Sequence, residues 1–275
     1  MTPNEYIKAM ARILTRHEDL TDRQALDVLY ELALRIYALL LRELPAERFA
    51  RLLAWRRIRP EILLQLIAAN DRLAPIVWNA VVAAELQLQE PNATYLGISP
   101  MAPRAVTDIL DATHVLGTPL SRLFVPSAAN GVPPFAAQLM RLIERTVLGA
   151  FMRDEPTPQI ARSIIEVRTI AGRNVPLLRK GTVTNAWRER FRAITAASLW
   201  GLVRPTTERY VAAASEPNTS TAPAIEWLWN AILDPATCPV CRPLHHTTAP
   251  SPWSFTHGPP PLHPNCRCVV IPQRI

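Results

Sequence analysis

The amino-acid sequence predicts a mainly α protein, with multi-helix N-terminal and central parts and a small C-terminal zinc-knuckle cap containing a short β element. Three observations predict it. The 275 residues include 8 glycines but 27 prolines, a composition suited to proline-bounded helices with stiff connectors and poor in glycine turns. Apolar residues recur at three-and-four spacing over long stretches, as in helices that bury one face. All four cysteines, and a histidine at ligand spacing, fall between Cys238 and Cys268, the signature of a thiol-rich metal site.

Thr2-Pro-Asn-Glu5 and Thr21-Asp-Arg-Gln24 each read as a capping box, so two helices are expected to start there. In the second, Leu26, Leu29, Tyr30, Ala33, Ile36, Tyr37, Leu40 and Leu41 form a broad apolar face that Pro45 ends. Pro45 can open a third helix through Phe49, Leu52, Leu53 and Trp55. A long helix follows from Pro60 through Leu63, Leu66, Ile67, Leu73, Val77, Val81 and Leu86, which Pro75 should kink or split. Seven prolines and Asn130-Gly131 between Pro91 and Pro134 predict a connector with one short helix near 105–113.

Helical periodicity returns over 133–152 at Phe135, Leu139, Leu142, Ile143, Val147, Leu148 and Phe151. Thr157-Pro-Gln159 predicts a helix with Thr157 as N-cap, and helices are expected over 182–203 and 205–214. A polar loop over 215–223 precedes an element over 225–233. Val269-Val-Ile271 predicts a short strand that stops at Pro272. The expected parts are therefore 1–90, a proline-rich connector at 91–134, a basic helical part at 135–215, and the C-terminal cap at 223–275.

The longest apolar runs are broken by charge, as Leu32 to Leu41 is by Arg35, and fall short of a bilayer span, so no membrane partner is expected. The first residues lack the pattern of a secretory leader. A reducing compartment is therefore expected, where paired cysteines hold metal more often than they form disulfides. The net charge of +7 is uneven: 1–155 holds 17 basic and 17 acidic residues, 156–215 holds 10 and 3, and 216–275 holds 3 and 3. All but Lys8 and Lys180 of the 30 basic residues are arginine, whose planar fork suits phosphate. Arg188 and Arg192 share a helical face by their i,i+4 spacing. With Arg179 they are the candidate nucleic-acid contacts, and a solvated or partner-facing surface is the other reading of the same charges.

Thiolate and imidazole donors together suit Zn2+ in a structural role. Five donors, Cys238, Cys241, His263, Cys266 and Cys268, compete for four positions. The first set is Cys238, Cys241, His263 and Cys266; in the second, Cys268 replaces His263. On extended backbone Cys266 and Cys268 point the same way and can both face the ion. Four reduced cysteines without metal, or paired disulfides, are the alternatives. His245, His246 and His257 lie in the intervening loop, as solvated side chains or as a completing ligand.

Trp229, then Asp234-Pro-Ala-Thr-Cys-Pro-Val-Cys241, then Pro260-Pro-Leu-His-Pro-Asn-Cys-Arg-Cys268 and Val269-Val-Ile-Pro272, resemble the end of the phage Mu F-like minor head proteins, also called phage head morphogenesis proteins. The likeness is firm over 226–272 and loose over 157–215; no quoted motif covers 1–150. Two departures are Ile194-Thr-Ala-Ala-Ser198 where the family commonly has Arg-Thr-Glu, and Arg242-Pro-Leu-His-His246 where a glycine usually follows the second cysteine. The resemblance implies a structural, non-enzymatic minor capsid protein of a tailed bacteriophage. It would be made in the host cytoplasm and retained in the virion near the portal vertex, acting in head assembly and DNA packaging or ejection. Its implied partners are the portal protein, other head proteins and packaged double-stranded DNA, with no small-molecule substrate.

Other readings have specific weaknesses. In a metal-dependent nuclease His263 would be the base, but no carboxylate cluster or second histidine follows at a fixed offset to hold a catalytic cation. A zinc-dependent nucleic-acid-binding regulator would want charge in or beside its finger, and the last 60 residues are net neutral. No glycine-rich phosphate loop exists for a packaging motor.

Overall fold

This computed structural model describes residues 1–115, 118–170, 173–177, 179–215, 225–232, 237–263 and 266–274. Among the described residues the chain is mainly helical, with short strands between the helices and at the C-terminal end. The order is α1 (Pro3–Glu43), α2 (Arg48–Leu96), α3 (Val106–Ala112), β1 (His114–Val115), β2 (Thr118–Pro119), α4 (Leu120–Leu123), α5 (Pro134–Met152) and α6 (Thr157–Ile164). It continues with β3 (Glu166–Ile170), β4 (Arg173–Leu177), α7 (Val183–Ala214), β5 (Ile225–Asn230), β6 (Thr248–Ala249) and β7 (Val269–Arg274).

Helix α1 opens on the expected cap: the Glu5 amide donates to the Thr2 hydroxyl at 3.3 Å, and the Thr2 amide returns a bond to the Glu5 carboxylate at 2.7 Å. The second expected start does not exist. Thr21 lies inside α1 and its hydroxyl donates to the His17 carbonyl at 2.6 Å, the back-bond a mid-helix threonine makes when packing keeps the helix going. Likewise the helices expected from Pro45 and Pro60 are one, α2, which runs through Pro60, Pro75 and Pro91. Leu73, Ala74 and Val77 are buried around Pro75; that packing offsets the hydrogen bond the ring removes. For the same reason the two helices expected on either side of Arg204 are a single α7 with Pro205 inside.

Trp55 is core, but Phe49 is 89% exposed, and Leu52, Leu53, Leu86 and Leu41 also face outward. The three-and-four count admitted side chains that flank the true stripe. Thr157 is not the N-cap of α6; Pro156 is, and the Thr157 hydroxyl donates to the Pro45 carbonyl at 3.2 Å. Thr182 does cap α7, accepting from the Asn185 amide at 3.3 Å. The loop over 215–223 lies outside the described residues except for Ser215.

Two compact units divide the chain. One comprises 22–76 and 122–191. Its aromatic core sets Phe135 against Phe124 at 5.3 Å and Phe191 at 6.2 Å, with Trp55 edge-on to Phe151 at 6.5 Å. Buried Arg51 clasps the chain ends of neighbouring helices, donating to the carbonyls of Pro45 at 3.2 Å, Glu155 at 2.7 Å, and Ala46. Strands β3 and β4 form an antiparallel ribbon paired from Glu166↔Leu177 to Ile170↔Arg173, where the sequence reading has only helices.

The other unit comprises 1–21, 77–121 and 192–275 and contains the cap. Tyr6, fully buried, donates to Asn92 at 2.6 Å and stacks on Tyr95 at 4.3 Å. The fully buried Glu85 carboxylate takes the Arg104 fork at 2.9 and 3.0 Å and the Thr206 hydroxyl. Both carboxylate oxygens thus have a donor, as a buried acid side chain requires. In the cap, β5 is the middle strand of a sheet ordered β6-β5-β7. Strand β7 continues through Pro272, which an edge strand tolerates because its missing N–H costs no ladder bond.

Arg51→Ala strands three carbonyls and is expected to cost about 3 kcal/mol in chemical denaturation, with Arg51→Lys recovering only part. His17 is buried on α1, and burial depresses its pKa below 6.5 against the opposing effect of a hydrogen bond to Gln87. The unfolded chain therefore binds the extra proton first. His17 costs nothing above about pH 6.5 and destabilises the fold increasingly below it. Melting temperatures between neutral and acid pH should fall less steeply for His17→Gln than for the unaltered chain.

Candidate metal centre

The first pair of thiols sits on a turn. Cys241 directs its amide at the Cys238 sulfur at 3.2 Å, and the Arg242 amide bonds to the Cys238 carbonyl at 3.1 Å. A single 3-10 turn, Arg242–Leu244, follows. The second group sits where the chain enters β7: the Cys266 amide donates to the His263 carbonyl at 3.1 Å, and Val269 begins the strand directly after Cys268. Asp234, Pro235 and Ala236 of the knuckle motif, and Pro264 and Asn265 of the second, lie outside the described residues.

Cys241 is the pivot. Its sulfur lies 3.2 Å from His263 Nε2 and 3.9 Å from Cys266 Sγ. Two groups of donors close to within 4.8 Å, Cys238–Cys241–His263 and Cys241–Cys266–Cys268, and Cys241 belongs to both. All five expected donors are thus brought together. Cys241, Cys266 and Cys268 are buried, and none of the four cysteines is in a disulfide. Of the two expected four-ligand sets, neither is singled out by these distances.

The electrostatics of the cluster divide its thiols. The Cys268 thiol, with backbone N–H groups of Cys268 and Leu262, holds Cys266 down to about 5 despite burial. Burial acts to raise Cys238, but hydrogen bonds from Cys241 and from the Cys241 and Val240 amides outweigh it and leave Cys238 below its ordinary value. Burial pushes Cys241 up to about 12, reinforced by its bond to Cys238 and by Cys266. Cys268 is raised by its bond to Cys266, by burial and by the neighbouring charge. Hydrogen bonding thus favours the thiolate at Cys266 and Cys238, while burial and neighbouring sulfur disfavour it at Cys241 and Cys268.

An apolar shell encloses the thiols. Trp227, Trp229, Ala249, Phe255 and Val270 form one buried cluster with Cys241, Cys266 and Cys268. Trp229, fully buried, meets Phe255 edge-on at 5.3 Å. The Trp229 amide donates to Thr247 O, and Trp229 O accepts from the His246 amide, both at 2.8 Å, so the tryptophan backbone pins the loop between the two thiol pairs. His245 is turned away from the ion site: its Nδ1 accepts from the Ala231 amide at 3.1 Å, and its ring stacks on His246 at 3.8 Å. Neither it, nor His246, nor His257 joins a donor group.

Among the described residues, helix contacts not foreseen in the sequence seat the cap. Tyr95 of α2 donates to the Pro272 carbonyl at 2.7 Å. Arg204 of α7 lies 4.5 Å over the Trp253 ring. Gly201 leaves room for Pro261, whose Cδ would stand 3.3 Å from any Cβ added there. Since Pro261 precedes the candidate ligand His263 by two residues, this close approach helps set where the imidazole enters. Arg267, between the last two cysteines, acts with Arg192 on Glu18 of α1, whose carboxyl is nonetheless raised by burial.

The candidate nucleic-acid arginines fare differently. Arg188 forms a two-pronged pair with Asp22 at 3.1 and 2.6 Å. Arg192 is half-buried, its charge acting on Glu18. Arg179 is 73% exposed and bonds to Glu166 at 3.0 Å.

The class defined by these features is a mainly helical protein ending in a thiol–imidazole knuckle on a three-stranded sheet. Residues 168–271 match the family model described as phage Mu protein F like protein, so the C-terminal part of the chain is similar to the family its motifs resemble. No curated protein and no solved structure matches the chain.

Because Cys241 belongs to both donor groups, Cys241→Ser is expected to abolish metal retention through gel filtration. Cys238→Ser and Cys268→Ser each leave one group intact and should weaken retention without eliminating it.

Proposed function

We propose that this chain is a structural component of a tailed-phage head, a minor head protein near the portal vertex that acts in head assembly and DNA packaging or ejection. The observation that carries the proposal is the convergence of Cys238, Cys241, His263, Cys266 and Cys268 on one buried point, within the segment 168–271 that matches the phage Mu F-like family. The donor set fits a closed structural zinc site: sulfur and imidazole with no carboxylate, inside an aromatic shell.

Four of the five donors hold the ion in this reading, with Cys241 among them. Bound Zn2+ supplies the positive charge that lets neighbouring thiolates coexist. The chain's own residues do the rest. Trp229 and Phe255 exclude water, and Gly201, Tyr95 and Arg204 hold the cap against α2 and α7. A cap fixed in this way gives a rigid docking element for the portal protein and other head proteins, while packaged DNA offers phosphates to the basic segment. The role is non-enzymatic. His263 faces Cys241 at 3.2 Å, a position suited to a ligand and not to a base poised toward substrate. No helix of the described residues is long and apolar enough to cross a membrane.

Sedimentation of assembled particles of the phage encoding the chain, followed by protein identification, tests the proposal. Co-sedimentation with portal-containing heads is expected, with about one zinc per chain in the purified protein. Recovery only in the soluble fraction, or nicking of plasmid in the presence of magnesium or manganese that Cys241→Ser abolishes, would contradict it.

A further inference from the structure

The β3–β4 ribbon and its flanks carry exposed positive charge with little acid among it, while Arg188, an expected contact on α7, is engaged elsewhere. Between 156 and 182 the sequence holds Arg162, Arg168, Arg173, Arg179 and Lys180 against the single acid Glu166. Arg168 is 68% and Arg179 73% exposed, and Arg162 and Lys180 are exposed as well. Arg188, by contrast, is spent on Asp22.

Glu166 does not cancel this charge. Its carboxylate lies 3.2 Å from Arg168 and 3.0 Å from Arg179, which pulls its pKa below the usual range. It therefore stays ionised between two guanidinium groups. Such exposed pairs contribute little stability. Their effect here is to hold two forked cations beside one strand end, with net positive charge to spare.

The shape is as specific as the charge. Among the described residues β3 and β4 pair only with each other, over five residue pairs, so the ribbon is about 17 Å long and two strands wide. A two-stranded ribbon is one of the two protein elements that fit the B-DNA major groove, which is about 12 Å wide. Forked guanidinium groups at its base would meet the phosphates on the groove walls.

We infer that the β3–β4 ribbon is a sequence-independent contact for double-stranded DNA, seated in the major groove with Arg168, Arg179 and Lys180 on flanking phosphates. It deepens the proposed function by naming the element that meets DNA and the class of nucleic acid it takes. Its exposed charge complements phosphate.

The test is fluorescence anisotropy of the zinc-loaded full chain with a short mixed-sequence DNA duplex, between about 50 and 200 mM salt. Arg168→Glu/Arg179→Glu/Lys180→Glu is compared with Arg12→Glu/Arg16→Glu/Arg23→Glu, an equal charge reversal at exposed positions on α1. The ribbon variant should bind at least about tenfold more weakly, and its log–log salt slope should be shallower by roughly 2 to 3. The α1 variant should stay near the unaltered chain. Arg168→Lys/Arg179→Lys should retain most of the binding, showing that loss follows charge and not misfolding. Duplex RNA, whose A-form major groove is too narrow for a ribbon, should bind more weakly than DNA.

Equal losses in the two triple variants would overturn the inference, as would no binding by the unaltered chain. Preference for polyglutamate over DNA would assign the ribbon to an acidic protein and overturn it too. Incorporation of the ribbon variant into particles reports on the head function separately, so either reading can fail alone.

Discussion

Four thiols and an imidazole drawn around Cys241 are the constraint on which the C-terminal part of this protein depends. Sulfurs this close and this buried cannot all carry charge without a cation. Hydrogen bonds ease the ionisation of Cys238 and Cys266, while burial and repulsion oppose that of Cys241 and Cys268. A dication bound there would resolve the conflict, and in doing so would tie the turn at Cys238 to the entry of β7. Without that tie the cap has only a small sheet and a few aromatic side chains, too little apolar surface to hold a fold of its own.

Its helical supports follow the same logic of small groups at close quarters. Gly201 admits Pro261, and Pro205, one turn on, cannot donate to the Gly201 carbonyl. The helix continues because Thr206 and Thr207 bond into the buried polar groups of Glu85 and Asn92. Hence the part of α7 that breaks local helix rules is the part that faces the cap. Local rules are often broken where a structure carries function, with compensation nearby.

The site was legible in the sequence because ligand spacing is a local property. Cys-x2-Cys makes a turn, and Cys266-x-Cys268 on extended backbone puts both sulfurs on one side. Helix content was legible for a similar reason, and the Thr2 cap survives unchanged. What was not legible depended on packing between distant segments. Thr21 has the pattern of a start but lies in a buried stretch of α1. Pro75 and Pro205 look like breaks but sit where neighbours hold the helix together. Gly201 has no sequence signal until Pro261 is known to approach it. The β3–β4 ribbon left little trace, since Val167 and Ile170 stand three residues apart and do not follow the two-residue alternation of a strand.

X-ray absorption at the zinc edge of the purified full-length protein addresses the central claim most directly. The account predicts one zinc with four ligands, sulfur predominating at about 2.3 Å and any nitrogen at about 2.0–2.1 Å. A six-coordinate, oxygen-dominated spectrum, or protein that folds its cap with no zinc at all, would contradict it.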